Sequence, residues 1–242
     1  MLRSALFNLA YYLWTAASSV VCLPLALVSR RWLLAAGRIW GRGMAALCAG
    51  ILGLRYRVTG RENLPAGPVI LACKHQSTWE TLVLPTEFGF PAVVLKQELT
   101  WIPVFGWLVQ RGGSISVDRR AGAKALRGML RQARARLAEG MSLLIFPEGT
   151  RTAPGEEKPY HPGIAALYLN LHIPVVPVAL NSGVFWGRRR FVKRGGTITV
   201  EFLPAIEPGL DRQAFLDTLR RRLEPASREL AEEARAQLAQ RD

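Results

Sequence analysis

Among the 242 residues are only three histidines, and one of them, His75, stands five residues before Glu80, where an apolar run from Pro68 to Cys73 (PVILAC) gives out. An imidazole is a serviceable general base near neutral pH, and a carboxylate on its second nitrogen fixes the tautomer and stabilises the imidazolium. Geometry restricts how the two can meet. Five residues along one helix separate side chains by about 140° at roughly 100° per residue, so His75 must sit in the turn before a helix whose first turns carry Glu80. The intervening Gln76-Ser77-Thr78 suits such a start, with Ser77 or Thr78 as cap. A satisfied core histidine is the plainer alternative for the pair taken alone.

Further candidates stand at the ends of other apolar runs. Phe146-Pro147-Glu148-Gly149-Thr150-Arg151 follows the most apolar of them, Met141 to Phe146 (MSLLIF). Gly149 frees the backbone while Thr150 and Arg151 offer donors, so the turn can hold a phosphate; it equally reads as an ordinary structural turn. In Gly112 to Arg119 (GGSISVDR), Asp118 and Arg119 either pair with each other or leave Arg119 for an anion. Lys96 ends PAVVLK as a further cation. Nothing marks Cys73, two residues from His75, as an activated nucleophile, and the chain has no Gly-x-Ser-x-Gly elbow. The three cysteines, Cys22, Cys48 and Cys73, have neither metal-ligand spacing nor a disulfide framework, and the histidines form no ligand cluster.

From residue 55 onward short strands alternate with helices, without repeats or a low-complexity linker. Strand candidates are Pro68–Cys73, Pro91–Lys96, Ser114–Val117, Met141–Phe146, Ile173–Leu180 and Thr197–Phe202. Helices are expected over Ala121–Glu139, closed by Gly140, over Pro162–Leu171, and over the tail from Asp211, where Leu216, Leu219, Leu223 and Leu230 recur at helical spacing. The pattern predicts an α/β fold with a mostly parallel central sheet flanked by helices, and chemistry gathered at the strand carboxyl ends.

Preceding it is an N-terminal hydrophobic, membrane-associated helical segment. Leu6 to Val28 contains no charged residue, close to the ~20 residues that a bilayer-spanning helix needs. Arg30, Arg31, Arg38 and Arg42 follow, which puts the body on the cytoplasmic side of the membrane. A second apolar stretch, Gly43 to Leu54, is short for a span, so the pair reads either as a spanning helix plus an interfacial one or as a hairpin in one leaflet. A cleaved signal peptide fits poorly, since the basic residues follow the apolar run. The expected division is 1–54 membrane-anchoring and 55–242 catalytic. A formal charge of +14 requires an anionic partner. Nucleic acid is a poor match, because no helix-turn-helix, zinc or aromatic RNA-binding signature occurs. Arg188, Arg189, Arg190, Lys193 and Arg194 among Phe185, Trp186 and Phe191 suit lipid headgroups, or equally a solvated loop.

Taken together these blocks resemble the glycerolipid acyltransferase family, which includes bacterial 1-acylglycerol-3-phosphate acyltransferases. His75 to Glu80 is similar to its His-x4-acid block, with glutamate where aspartate is usual. Lys96-Gln97-Glu98-Leu99 with Pro103 and Gly106 looks like its lysine-bearing stretch, GSISVDR its second block, FPEGTR its third and Ile173–Leu180 (IPVVPVAL) its fourth. The resemblance implies direct acyl transfer from acyl-CoA or acyl-carrier protein to the sn-2 hydroxyl of a lysophospholipid, with no cofactor and no metal. It further implies His75 as base, Glu80 as its orienter, and substrate binding by Lys96, Arg119, Glu148, Gly149, Thr150 and Arg151. Membrane lipids and an acidic carrier protein are the implied partners, and other lysolipids, a lipid A precursor or glycerol-3-phosphate the alternative acceptors.

Overall fold

The computed structural model describes residues 1–240; the last two residues of the 55–242 segment lie outside the described residues. Two helices, α1 (Leu2–Val28) and α2 (Arg30–Leu47), open the chain as a hairpin. At the elbow Ser29 is extended, and its hydroxyl caps α2 by accepting the Arg31 N–H at 3.2 Å. Trp14 donates its indole N–H to the Trp40 carbonyl at 2.9 Å, and its ring fills the space a side chain at Gly43 would need. The sequence reading began the second apolar stretch at Gly43. Instead the whole of Arg30–Leu47 is helical, arginines included, because α2 is amphipathic and buries only Leu33, Gly41 and Met44. A π-helical turn, Cys48–Leu52, ends at Gly53 in the left-handed region (φ 67°) and releases the chain into the sheet.

Among the described residues seven strands follow: β1 (Leu54–Thr59), β2 (Ile70–Cys73), β3 (Ala92–Lys96), β4 (Ile115–Val117), β5 (Leu143–Ile145), β6 (Val175–Leu180) and β7 (Gly196–Phe202). Their order in the sheet is β1-β7-β6-β2-β5-β3-β4. All neighbours run parallel except β6 and β7. The remaining helices are α3 (Trp79–Leu82), α4 (Leu84–Glu87), α5 (Phe105–Gly112), α6 (Gly122–Ala138), α7 (Pro162–Leu171), α8 (Ser182–Phe185) and α9 (Arg212–Ala239). This is the mixed α/β, mostly parallel architecture that the strand-helix alternation predicts.

Both faces of the central strands are buried, which is why they read as unbroken apolar runs. Leu71 and Cys73 of β2 face one cluster with Leu144, Val176, Trp79 and, from the hairpin, Phe7 and Met44. Their neighbours Ile70 and Ala72 face the opposite cluster with Leu143, Met129 of α6, Ile164 of α7 and Leu219 of α9. The hairpin therefore shares a core with the sheet across the expected boundary at residues 54 and 55.

Two features of the sheet were not anticipated. β1 is an edge strand in which Arg55, Arg57 and Thr59 alternate with Leu54, Tyr56 and Val58, and it pairs with β7 rather than with the next strand in sequence. Strand β7 returns antiparallel to β6 because no full crossover helix separates them, only the four-residue α8 and a loop.

The five strands β6, β2, β5, β3 and β4 all point the same way. Their carboxyl ends bring Ser182, His75, the 146–151 turn, Lys96 and Arg119 to one edge of the sheet.

Candidate functional site

His75 lies in the turn between β2 and α3, and Glu80 in the first turn of α3. The imidazole Nδ1 sits 2.9 Å from Glu80 Oε1. That same oxygen accepts the Gln76 and Ser77 N–H groups at 2.7 and 2.6 Å, while Oε2 accepts the Ser182 hydroxyl at 2.8 Å. Two backbone donors and a hydroxyl on a fully buried carboxylate are what an ionised acid requires there, because it can only accept. On this network Nδ1 carries the proton and Nε2 the lone pair. The ring stacks on Phe146 at 4.1 Å between centroids, with 13 % of the side chain exposed, and the His75 carbonyl accepts the Thr152 N–H at 2.8 Å. Such a couple can take a proton from a hydroxyl placed over Nε2. Thr78 holds the N-cap position of α3 without a side-chain cap bond, and the Ser77 hydroxyl accepts the Trp79 N–H at 3.1 Å.

Directly beneath lies a buried ionic group. Lys74, 1 % exposed, places Nζ 2.9 Å from Glu148 Oε1 and 2.6 Å from Glu224 Oε2 of α9. Tyr160 donates its hydroxyl to the other Glu224 oxygen at 2.7 Å, and Nζ also donates to the Glu156 carbonyl at 3.3 Å. Burial works against the Lys74 charge, but Glu148 and Glu224 outweigh it and lift its pKa. Burial raises the Glu148 carboxyl above the usual range against the pull of Lys74. Glu148 thus faces inward to Lys74 rather than outward. Burial, then the charges of Glu80 and Glu148, push the Cys73 thiol well up, which leaves it a poor nucleophile.

A second set of groups surrounds Gly149. Arg119 donates Nη1 to the Gly149 carbonyl at 2.6 Å. Gly149 has φ 62°, and a Cβ there would overlap the His161 ring and lie 3.0 Å from Arg119 Nη1, so both backbone angle and space demand glycine. Burial lowers the pKa of His161, and the charges of Arg119 and Lys96 lower it further; burial also lowers that of Arg119, opposed by Glu98. Lys96 and Arg119 therefore form a cationic group around the turn, and burial and their charges disfavour the protonated form of the His161 imidazole beside them. Thr150 is partly exposed on the same turn. Arg151 instead donates Nε to the Ser77 carbonyl at 3.0 Å, which ties it to the His75–Glu80 loop.

Lys74, His161, Ser182 and Glu224 were not singled out from the sequence. A lysine ending a buried strand, and a glutamate beside Leu223 within the apolar stripe of α9, were the available signals. In the basic loop, Lys193 turns inward: its ammonium donates to Asn8 at 2.8 Å and lies 4.9 Å from the Trp186 ring. Its pKa is lowered by burial.

Fold and couple together define the class, an α/β protein with a histidine–carboxylate pair at the carboxyl edge of a parallel sheet. A sequence model of the Acyltransferase family matches residues 55–181, and the chain belongs to that family. It is 40 % identical over 167 residues to a 1-acyl-sn-glycerol-3-phosphate acyltransferase of Pseudomonas aeruginosa, covering 69 % of this chain and 65 % of that one. Over 172 residues it is 30 % identical to a 1-acyl-sn-glycerol-3-phosphate acyltransferase of Limnanthes douglasii, covering 70 % and 61 %. The aligned part thus spans a little under two thirds of the length of these curated relatives. The crystal structure of PlsC, a 1-acyl-sn-glycerophosphate acyltransferase of Thermotoga maritima, superposes with a TM-score of 0.75 at 21 % identity, covering 96 % of each chain; this likeness establishes the shared fold.

Proposed function

We propose that the chain transfers a fatty acyl group from acyl-CoA or acyl-carrier protein to the sn-2 hydroxyl of 1-acylglycerol-3-phosphate, giving phosphatidic acid. The observation that carries this reading is the His75–Glu80 couple, with Nε2 free, at the sheet edge that also holds Arg151 and the cations around Gly149. The relatives' names, 1-acyl-sn-glycerol-3-phosphate acyltransferases, agree with it.

In the proposed reaction His75 Nε2 takes the hydroxyl proton as the oxygen attacks the thioester carbonyl, and Glu80 holds the ring and the imidazolium charge. Collapse of the tetrahedral intermediate breaks the C–S bond, and the imidazolium returns the proton to the departing thiolate. No acyl-enzyme is needed, in keeping with the buried Cys73 thiol. Lys96, Arg119 and Arg151 bind the acceptor phosphate, with Gly149 and Thr150 shaping the turn between them. Glu148 acts from below, by holding Lys74 and so the strand end that bears His75.

Membrane association at the cytoplasmic face of the inner membrane belongs to the same reading. Near its amino terminus α1 is tied to the body, where the Ser4 hydroxyl accepts the Lys193 N–H at 3.0 Å. At its other end Arg111 of α5 donates to the Ala26 carbonyl at 2.9 Å. A helix of 27 residues, about 40 Å long, that touches one body at both ends lies along it. This supports a hairpin seated in one leaflet over a helix crossing the bilayer.

The test is thiol release from acyl-CoA and acyl-carrier protein by the purified protein in detergent. Acceptors are 1-acylglycerol-3-phosphate, glycerol-3-phosphate, lyso-ornithine lipid and a lipid A precursor, each assayed with parent and His75→Ala. The expected result is release dependent on 1-acylglycerol-3-phosphate that drops by about 10²- to 10⁴-fold in the variant. Equal activity in His75→Ala would remove the general-base mechanism, and preference for another acceptor would reassign the substrate.

A further inference from the structure

From Leu99 to Gln110 the chain carries no charged residue, yet this segment is not core. Trp101 is 70 % exposed, and Leu99, Ile102, Val104, Phe105 and Trp107 are exposed beside it. A solvated connection of this length would be polar and loosely held. This one is apolar and tightly built. Residues Gln97–Trp101 form a 3-10 turn, and Thr100 ties its hydroxyl to the Gln97 carbonyl at 2.6 Å. A side chain at Gly106 would overlap the Thr100 backbone. Val104 has φ 64° and ψ −60°, and the Phe105 N–H bonds the Pro103 carbonyl at 2.7 Å. This is a classic γ-turn, rare and strained, and on a β-branched residue. Such strain persists where the surroundings impose it and a function is served.

We propose that residues 99–107 form a membrane-inserting loop that docks the protein on an anionic bilayer beside its hairpin. Continuity is the first argument. Helix α5, which completes the loop, packs Leu108 against Cys22, Ala26 and Leu33 of the α1–α2 elbow, and Arg30 of α2 donates to the Gly112 carbonyl at 3.1 Å. At that elbow Leu27, Val28 and Trp32 are themselves exposed, so loop and elbow present apolar surface from elements that pack on one another. Charge is the second. No Asp or Glu precedes Glu62, and Arg31 stands exposed next to Trp32, which fits an anionic headgroup layer. Depth is the third: Lys96 stands three residues before the loop, so tryptophans at the interface would bring that lysine close to the level of lipid phosphates.

The inference rests on the membrane part of the proposed function and is tested separately from the chemistry. Full-length Trp101→Glu/Ile102→Glu is compared with the parent for co-sedimentation with phosphatidylethanolamine/phosphatidylglycerol vesicles. Turnover is measured with acceptor embedded in those vesicles and with a short-chain acceptor dispersed in water. Expected are a loss of vesicle binding and a rise in apparent KM on vesicles, each more than about tenfold, with unchanged turnover of the dispersed acceptor. As a readout that needs no disabled variant, a fluorophore on Ile102→Cys should shift to the blue when vesicles are added. Unaltered vesicle binding together with no shift would overturn the proposal, as would a parent dimer that the double variant dissociates, which would mean that a second copy covers the loop. Loss of turnover on the dispersed acceptor in a variant that melts like the parent would also overturn it, by making the loop part of the active site. Failure of the chemistry itself would appear in the parent, as no turnover of either acceptor.

Discussion

Lys74 is the residue on which the largest electrostatic consequence depends. It is held by two buried carboxylates, so removing its charge leaves both without a counterion. Breaking a buried pair in this way costs about 3–5 kcal/mol, whereas removing all the charges together can be nearly neutral. Lys74→Met should therefore lower stability by about that amount, and Lys74→Met/Glu148→Gln/Glu224→Gln should recover much of it, as read by denaturant melts. The sign with pH follows from the raised folded pKa of Lys74. Stability from this group is in place below the unfolded value and lost as pH climbs through the higher folded one, so Lys74→Met should flatten the alkaline limb of the stability curve. His161 offers a probe of the cationic group. Its pKa is lowered by burial, then by Arg119 and Lys96, with Glu98 acting on Arg119 from the loop after β3. An anion bound among these cations offsets their repulsion of the imidazolium. In an NMR titration the His161 pKa should rise on addition of sulfate, whose charge is constant over the range; an unmoved value would place the anion elsewhere. Lys74 lies 150 positions from Glu224, and no local pattern announces a pairing across that separation. By contrast His75 and Glu80 were legible because helix geometry limits how residues five apart can meet.

Among the elements, the turn after β5 is the one whose backbone is set by a single residue. Alanine at Gly149 would hold a left-handed conformation at about 1–2 kcal/mol and press its methyl into His161 and Arg119. Gly149→Ala should melt lower than the parent and raise KM for the phosphate-bearing acceptor more than it lowers kcat. The strands and helices were legible where one signal dominates. Helix α7 begins at a proline, and its bounds agree with the sequence reading; β2 and β5 are apolar on both faces, so no period other than a buried strand fits them. Strand β1 escaped notice because its alternation is brief and follows the apolar end of the hairpin. Helix α5 escaped because it is only eight residues long and begins after Val104, which offers no capping side chain. The reversal of β7 depends on the route of the 181–195 loop, which turns on Phe185 packing against Gly196 and on Lys193 seated among Phe7, Trp186 and Asn8. Those are tertiary contacts that spacing alone does not encode.

At the scale of the whole molecule, charge and apolar surface make different demands on solvent. The +14 surplus acts through water and is screened within about 10 Å at ~0.1 M salt. The exposed apolar face of α1, with Leu6, Leu9, Leu13, Val20 and Leu27, acts through area and is indifferent to low salt. Binding to vesicles should therefore have two separable parts. With phosphatidylglycerol present, affinity should fall as salt rises from about 50 to 500 mM, since each basic residue near the surface contributes about 1 kcal/mol at most. It should then level off at a plateau set by the hairpin together with the 99–107 loop. With neutral lipids only the plateau should remain, at every salt concentration. Co-sedimentation across that grid checks both parts. Binding that vanishes at high salt would mean that the apolar face of α1 does not enter the bilayer, and that a peripheral electrostatic contact holds the protein to its substrate surface.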